Sequence, residues 1–333
     1  MFQDNHYRLP AEWEPQSGIQ LTWPHAQTDW APMLDEVIAT YQEMAREIRK
    51  REPLLVVNPP SNDTWARDHG FITLVPHDAA LTPQRPPLLL DFCFNGWGEK
   101  FPADIDNALN RRIYKEGKVN GTYVNHLDFV LEGGSIESDG KGTVFTTSCC
   151  LLAPHRNQPL TKAEIEERLK EYLHAERVLW IDHGYLEGDD TDGHIDTLVR
   201  IAPDDTLLYV KCQQVTDDES ASLSLMESDL LAFRTLDGRP YRLLPLPMPR
   251  PIYDEEGQKL PATYANFLVV NGAVLCPTYG QPDLDAEALR IIGEVFPGRD
   301  IVGIDCRSLI KQHGSLHCCT MQYPAGVIPQ DSH

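Results

Sequence analysis

The sequence predicts a mixed α/β fold built from five repeats of roughly three strands and one helix, closed into a ring around a central channel. Two observations carry this. Five segments with helical periodicity each lie between runs that read as strands. Their starts recur at intervals of about 55 to 70 residues, longer than a solenoid period. A third observation concerns domain count: no Gly/Ser linker or low-complexity stretch divides the 333 residues, so a single domain spanning 1–333 is expected. A doubly wound sheet is the alternative architecture, but the Gly-rich strand-to-helix turn that opens a dinucleotide fold is missing from the sequence.

The first helix is expected from about Pro32 to Arg51, with proline at N1 and Met33, Val37, Tyr41, Met44 and Ile48 on one face. The others begin near Pro102, Thr161, Asp217 and Asp283. Thr161 followed by Glu164 is a capping box, with Ile165, Leu169 and Tyr172 as the buried stripe. Strands are expected at Ile19 to Trp23, Leu54 to Val57, Phe71 to Val75, Leu88 to Phe94, Val144 to Thr147, Val178 to Ile181, Leu207 to Val210, Phe267 to Val270 and Ile301 to Ile304. Asp139-Gly140, Pro203-Asp204-Asp205 and Asn271-Gly272 mark turns. The proline-rich patches Pro83 to Pro87 and Pro245 to Pro251 read as surface connections.

Apolar residues make up 41% of the chain and charged residues 24%, the range of an ordinary globular protein. No apolar run approaches the roughly 18 residues of a membrane span. The opening Met1 to His6 has no basic flank leading into an apolar stretch, so neither export nor membrane insertion is expected. A formal net charge of −21 repels nucleic acid and anionic membrane, and it favours a small cationic partner. Eight cysteines include the adjacent pairs Cys149/Cys150 and Cys318/Cys319 and no C-x-x-C, which argues against zinc fingers and disulfide frameworks and for reduced thiols in a cytoplasm. Cys93, Cys212, Cys276 and Cys306 lie in apolar, strand-like stretches and read as small buried hydrophobes.

Four turn-like clusters are dense in polar groups, each in a different repeat: Trp65-Ala66-Arg67-Asp68, Glu132-Gly133-Gly134-Ser135, Gly188 to Asp196, and Gly314-Ser315-Leu316-His317-Cys318-Cys319. Taken singly, Asp68 beside Arg67 reads as a surface ion pair and Glu132 as a turn cap. In a ring, clusters at equivalent strand ends converge on the axis. Asp189, Asp190, Asp192 and Asp196 crowd into eight residues and repel one another unless a cation is bound. His194 and Asp196 alternate at strand spacing and so share a face; opposite a cysteine they would supply a proton shuttle and an orienting carboxylate for a nucleophile. Strand alternation sends Cys318 and Cys319 to opposite faces, and spacing alone does not choose between them.

These residues resemble the agmatine deiminase family, within the larger group of guanidino-modifying enzymes that share a pentein-type α/β propeller of five pseudosymmetric repeats. The resemblance rests on Trp65-x-Arg67-Asp68, Glu132-Gly133-Gly134-Ser135-Ile136, Gly188-Asp189-Asp190-Thr191-Asp192-Gly193-His194-x-Asp196 and Gly314-Ser315-Leu316-His317-Cys318-x-Thr320-x-Gln322, with Trp23-Pro24-His25 to Asp29-Trp30 and Asn95-Gly96-Trp97-Gly98 in support. It runs nearly the whole chain in the family's order. One departure is His313-Gly314-Ser315-Leu316, where many relatives have a glycine-rich Asn-Ile-His-Cys version of the nucleophile motif.

The resemblance implies that Cys318 is the nucleophile, Cys319 is packing, His194 is the acid/base, and Asp68, Glu132 and Asp196 hold the guanidinium. It implies no cofactor and no metal. Attack of the Cys318 thiolate on the guanidinium carbon, loss of ammonia and hydrolysis of an S-alkylthiouronium would convert agmatine to N-carbamoylputrescine. Trp65, Asp190, Trp97, Asp29 and Trp30 are expected to line the substrate pocket, the last three around the distal ammonium through charge and cation–π contacts. A homodimer is the default oligomer. Three rivals use the same residues differently: deimination of arginine or peptidylarginine, an amidinotransferase that passes the covalent intermediate to an amine, and a metal-dependent ureohydrolase, for which a second Asp/His segment is lacking in the sequence. A non-catalytic binding protein of the same fold would not need Cys318 and His194.

Overall fold

The computed structural model describes residues 6–78, 84–214 and 216–329. One unit recurs through it: a strand, an antiparallel partner, a helix, and a third strand returning parallel to the second. A parallel return needs a crossover, and the helix supplies it. The first unit contains Ile72–Pro76, Leu88–Cys93 and Thr122–Val130. Ile136–Ser138, Thr143–Thr147 and Arg177–Ile181 form the next, followed by Val199–Ala202, Thr206–Lys211 and Arg242–Pro247, and by Leu268–Val270, Ala273–Thr278 and Asp300–Asp305. The last unit joins distant parts of the chain: Thr320–Pro324 pairs antiparallel with Gln16–Thr22, which pairs parallel with Leu54–Val57. Tyr7–Arg8 extends the first sheet at Ile72–Pro76.

The crossover helices are Leu109–Lys115, Lys162–Leu173, Asp218–Ala232, Pro282–Val295 and Leu34–Arg49. Three of them start where local chemistry favours it. Thr161 and Glu164 make both halves of the capping box, with the Thr161 N–H donating to Glu164 Oε2 at 2.8 Å. Asp217 caps the next helix in the same reciprocal way with Ser220. Leu34–Arg49 follows a three-residue 3₁₀ turn containing Pro32 and buries Val37, Tyr41, Met44 and Ile48 completely. Val37, Met44 and Ile48 each contribute about 1.5 to 3 kcal/mol by leaving water.

Three expectations need correction. The helix expected near Pro102 begins at the 3₁₀ turn Asp106–Ala108, after a loop. Pro245 and Pro247 lie inside the strand Arg242–Pro247, whose sheet order makes it an edge, the position where a missing N–H is tolerated. His194 and Asp196 do not sit in a strand: Ile195–Thr197 is a 3₁₀ turn ahead of Val199–Ala202. The segments Met1 to Asn5 and Pro83 fall outside the described residues. No helix among the described residues is long and apolar enough to cross a membrane.

Candidate active site

The turn before the first strand of each unit carries the polar residues of the site. Asp68 is in the helical turn Ala66–His69 before Ile72–Pro76, and Glu132 precedes the turn Gly133–Ser135 that leads into Ile136–Ser138. His194 and Asp196 precede Val199–Ala202, Asn266 precedes Leu268–Val270, and Cys318 precedes Thr320–Pro324. All six side chains are buried to 4% exposure or less. They belong to one cluster.

Gly134 is where several of them meet. Its N–H donates to Asp68 Oδ1 at 3.1 Å. A Cβ on Gly134 would lie 2.6 Å from His194 Nδ1, 2.8 Å from Asp68 Oδ1 and 3.3 Å from Asp196 Oδ1, so only glycine permits this approach. His194 Nδ1 is 3.6 Å from Asp68 Oδ1, and neither ring nitrogen has a hydrogen-bond partner. Asp68 Oδ2 accepts from Trp97 Nε1 at 2.9 Å. Trp97 reaches it from a left-handed backbone, φ 57°, in a turn where the Asn95 side chain accepts from Gly98 N–H at 3.0 Å.

Asp196 anchors the nucleophile side. Its Oδ2 lies 2.7 Å from His317 Nδ1, accepts from Asn266 Nδ2 at 3.2 Å and is 3.8 Å from Cys318 Sγ. Asn266 Oδ1 accepts from the backbone N–H groups of His317 and Cys318 at 2.9 and 3.2 Å, which fixes the turn carrying the thiol. Glu132 Oε1 accepts from the buried Arg156 Nε at 2.7 Å, while Oε2 has no partner.

The electrostatics follow from burial. Desolvation, with Asp196 and Asp68 nearby, pushes the Cys318 thiol well above its ordinary value. Asp68 is raised to about 6, mainly by burial and with the charges of Asp196 and Glu132, against the pull of His194. Burial also acts on Asp196, but the hydrogen bond and charge of His317, helped by His194 and Arg200, hold it below the usual carboxylate range. Without a bound cation the site therefore favours a thiol; a cation would favour the thiolate.

Cys318 and Asp68 open onto a cavity of about 120 Å³ whose walls include Trp65, Trp97 and Phe101 and four aspartates, Asp29, Asp63, Asp68 and Asp190. No arginine or lysine is among its lining residues. Glu132, His194 and Asp196 are not among its lining residues; Asp196 adjoins it through Cys318 at 3.8 Å and His194 through Asp68 at 3.6 Å. Trp30 does not line it. It is fully buried one layer back, its ring centroid 5.6 Å from that of Trp65, and its Nε1 donates to Asp63 Oδ1 at 3.0 Å. Asp63, held in this way, is the group that faces the cavity where Trp30 was expected.

The crowding of aspartates is relieved internally more than the sequence suggests. Asp192 pairs with Lys100 Nζ and Arg156 Nη1, each at 2.8 Å. Asp189 accepts from Gly193 N–H at 2.7 Å and from Thr191 Oγ1 at 2.6 Å. Asp190 alone of the four turns its carboxylate to the cavity without a contact closer than His313 Nε2 at 3.8 Å.

Sequence reasoning missed Asn266, Asp63, Arg156 and the bridging role of His317. Asn266 had a signal: a lone amide just ahead of an apolar strand, at the place in its unit that Cys318 occupies in another. Arg156 had none. Among the described residues, two groups could offer three metal ligands within 4.8 Å, namely Glu132, Cys150 and His194, and Glu12, Glu137 and His317. Arg156 already holds Glu132, and Arg200 binds Glu12 and Glu137 at 2.7 and 2.6 Å, so a guanidinium stands near each group where an ion would be.

A buried thiol beside a histidine and carboxylates, at the floor of an acidic cavity, defines a site for cysteine chemistry on a small cation. Residues 8–324 match the family of Porphyromonas-type peptidyl-arginine deiminases, and the chain belongs to that family. A candidate arginine deiminase of Porphyromonas gingivalis is 48% identical, with 97% of this chain and 100% of that one covered and a TM-score of 0.90. A C. jejuni agmatine deiminase, solved with substrate bound and serine in place of a cysteine, is 34% identical over 96% and 97% of the two chains, TM-score 0.87. The agmatine deiminase of Stutzerimonas stutzeri is 31% identical over 98% of this chain and 97% of its own.

Proposed function

We propose that this protein is an agmatine deiminase, a hydrolase that acts on the C–N bond of a linear amidine to give N-carbamoylputrescine and ammonia. The observation that carries it is the cavity wall: four aspartates and no arginine or lysine above a buried cysteine. Agmatine is a dication and balances such a wall. Arginine would bring an α-carboxylate among carboxylates with no cationic partner, and burying an unpaired charge is costly.

In this reading Cys318 attacks the guanidinium carbon, and its thiolate forms as the cation enters. Asp68 and Glu132, with Asp196, bracket the guanidinium; each charge-assisted contact at about 4 Å is worth on the order of 4 kcal/mol before desolvation at intermediate dielectric. His194 protonates the departing ammonia and then takes a proton from the water that hydrolyses the S-alkylthiouronium. Proton transfer of this kind contributes roughly 10²- to 10⁴-fold. Trp65, Trp97, Asp29, Asp63 and Asp190 bind the tetramethylene chain and distal ammonium.

We take the five units as a five-fold pseudosymmetric α/β propeller with the site on its axis, because the catalytic turns occupy equivalent places in all five. The 1–333 chain is then a single domain. Eight free cysteines favour the cytoplasm, and a homodimer without nucleic-acid or membrane partners is the default assembly.

The test is to incubate the purified protein with agmatine, arginine and a peptidylarginine and to measure ammonia and ureido product. Agmatine should exceed arginine in kcat/KM by at least about 10²-fold, since polar mismatch can discriminate by 10⁴-fold or more. Comparable rates on the two would overturn the agmatine assignment and leave the deiminase chemistry standing, in line with the names of the Porphyromonas relative and of the family.

A further inference from the structure

A second cavity, of about 70 Å³, shares no lining residue with the first. Neighbours in sequence separate the two. Asp68 lines the first and Arg67 the second; Gly134 touches Asp68 and His194, while Gly133 lines the second. The partition is one residue thick at these points. The second cavity has a mixed lining with unpaired polar groups: Arg67 Nε and Nη2, Gln16 Oε1, Thr73 Oγ1 and Gln322 Oε1 belong to its lining residues and are buried without a partner. Exposed Pro15 and half-buried Glu14 stand at its rim, so it communicates with solvent.

One continuous polar chain crosses the partition. Cys318 Sγ is 3.8 Å from Asp196 Oδ2; that same oxygen is 2.7 Å from His317 Nδ1; His317 Nε2 is 2.7 Å from Glu12 Oε2; and Glu12 lines the second cavity. None of the proposed deiminase steps requires His317 or Glu12. A bound dication would fill the first cavity and cover Cys318, which is only 4% exposed, from that side.

We propose that Asp196, His317 and Glu12 form a proton relay through which the Cys318 thiol discharges its proton into the second cavity as substrate binds. The S–H bond breaks with its electron pair left on sulfur. The proton passes to Asp196; His317, whose Nδ1–H already bridges to Asp196 Oδ2, gives its Nε2–H to Glu12 as Asp196 is neutralised, and Glu12 releases a proton to water. One proton leaves per thiolate formed, and no oxidant or further reactant is needed. Arg200, which donates to Glu12 Oε2 at 2.7 Å and to Glu137 Oε1 at 2.6 Å, and Asn266, which donates to Asp196, hold the ends of the relay in place as positioning residues. Asp68 and His194 are the competing acceptors, and a proton taken by either would stay inside the site.

The inference rests on the thiolate chemistry proposed above, and the experiment separates the two. Wild-type protein in weak buffer is mixed rapidly with agmatine in the presence of a pH indicator. A proton per site should appear in solution before ureido product, and Cys318→Ala should show none. Glu12→Gln keeps the shape of the side chain but cannot carry the proton; it should slow the burst at least about tenfold, whereas Glu12→Asp should restore most of it. The double variant Thr73→Val/Gln322→Leu removes two of the unpartnered polar side chains of the second cavity without touching the relay. It should also slow the burst, and it covers the case in which Glu12→Gln does not fold. An undiminished burst rate in Glu12→Gln or in the double variant, or its absence from the wild type during normal turnover, would sink the relay. Failure of the wild type to convert agmatine would instead overturn the proposed function.

Discussion

Cys318 and Cys319 are adjacent in sequence and face different surroundings. Cys318 meets the acidic cavity, whereas Cys319 is fully buried beside Tyr41, where desolvation also raises its thiol, and it does not line the cavity. Cys318→Ala should abolish turnover; Cys319→Ala should keep most of it and cost about 1 kcal/mol of stability, read by urea unfolding. His194→Ala should accumulate a covalent adduct on Cys318, visible by mass spectrometry, because the same ring serves both proton transfers. Full activity in that variant would remove the histidine from the mechanism. Asp68, raised to about 6, must be ionised to hold a guanidinium, so kcat/KM should fall as pH drops through about 6.

At the scale of elements, the site depends on short turns. A methyl group at Gly134 enters the space shared by His194 and Asp68, so Gly134→Ala should lower kcat/KM by about 10²-fold or more with little change in the melting curve. These turns explain what could be read in advance. Two helices were legible through their starts: Thr161 with Glu164 as a capping box, and Pro32 at the head of Leu34–Arg49. Strands such as Leu54–Val57 and Leu88–Cys93 were legible as apolar runs. The short or polar strands Ile136–Ser138, Val199–Ala202 and Thr320–Pro324 were not, since a strand of three to five residues has too few alternations to show a period. The expected separation of Cys318 from Cys319 holds for a different reason than strand alternation: both precede the strand Thr320–Pro324, and the turn is closed by Cys319 N–H to Leu316 C=O at 3.3 Å and Thr320 N–H to His317 C=O at 3.0 Å. Asp63 and Arg156 were silent because their partners are distant in sequence.

For the molecule as a whole, carboxylates dominate the response to pH. Burial raises Asp63 and Asp68 to about 6 and Asp106 and Glu52 to about 7. A carboxyl group raised by folding contributes stability below its unfolded value and loses it as pH rises through the folded one, here between about 4 and 7. Asp196 and Glu47 are lowered, despite the burial cost, by His317 and by Lys50 and Arg51; their contribution is present above the unfolded value and lost as pH falls through the folded one. The melting temperature should therefore be higher at pH 6 than at pH 8 and should fall again below about pH 4. The net charge of −21 adds self-repulsion in the same direction at alkaline pH. A calorimetric profile that rises steadily from pH 6 to 8 would contradict this balance.

The unit that joins Thr320–Pro324 to Gln16–Thr22 has a consequence for how the molecule is made. Its sheet cannot close until Thr320–Pro324 has left the ribosome, because the first strand of the unit is translated after the strands it joins. The turn bearing Cys318 is attached to that strand. Every earlier turn can take up its local shape on a nascent chain, but the nucleophile reaches Asp196 and Asn266 only when the two distant segments find each other, a contact of very high sequence separation and correspondingly slow formation. Acquisition of activity should thus coincide with the final folding step, and a growing chain carries no assembled catalyst.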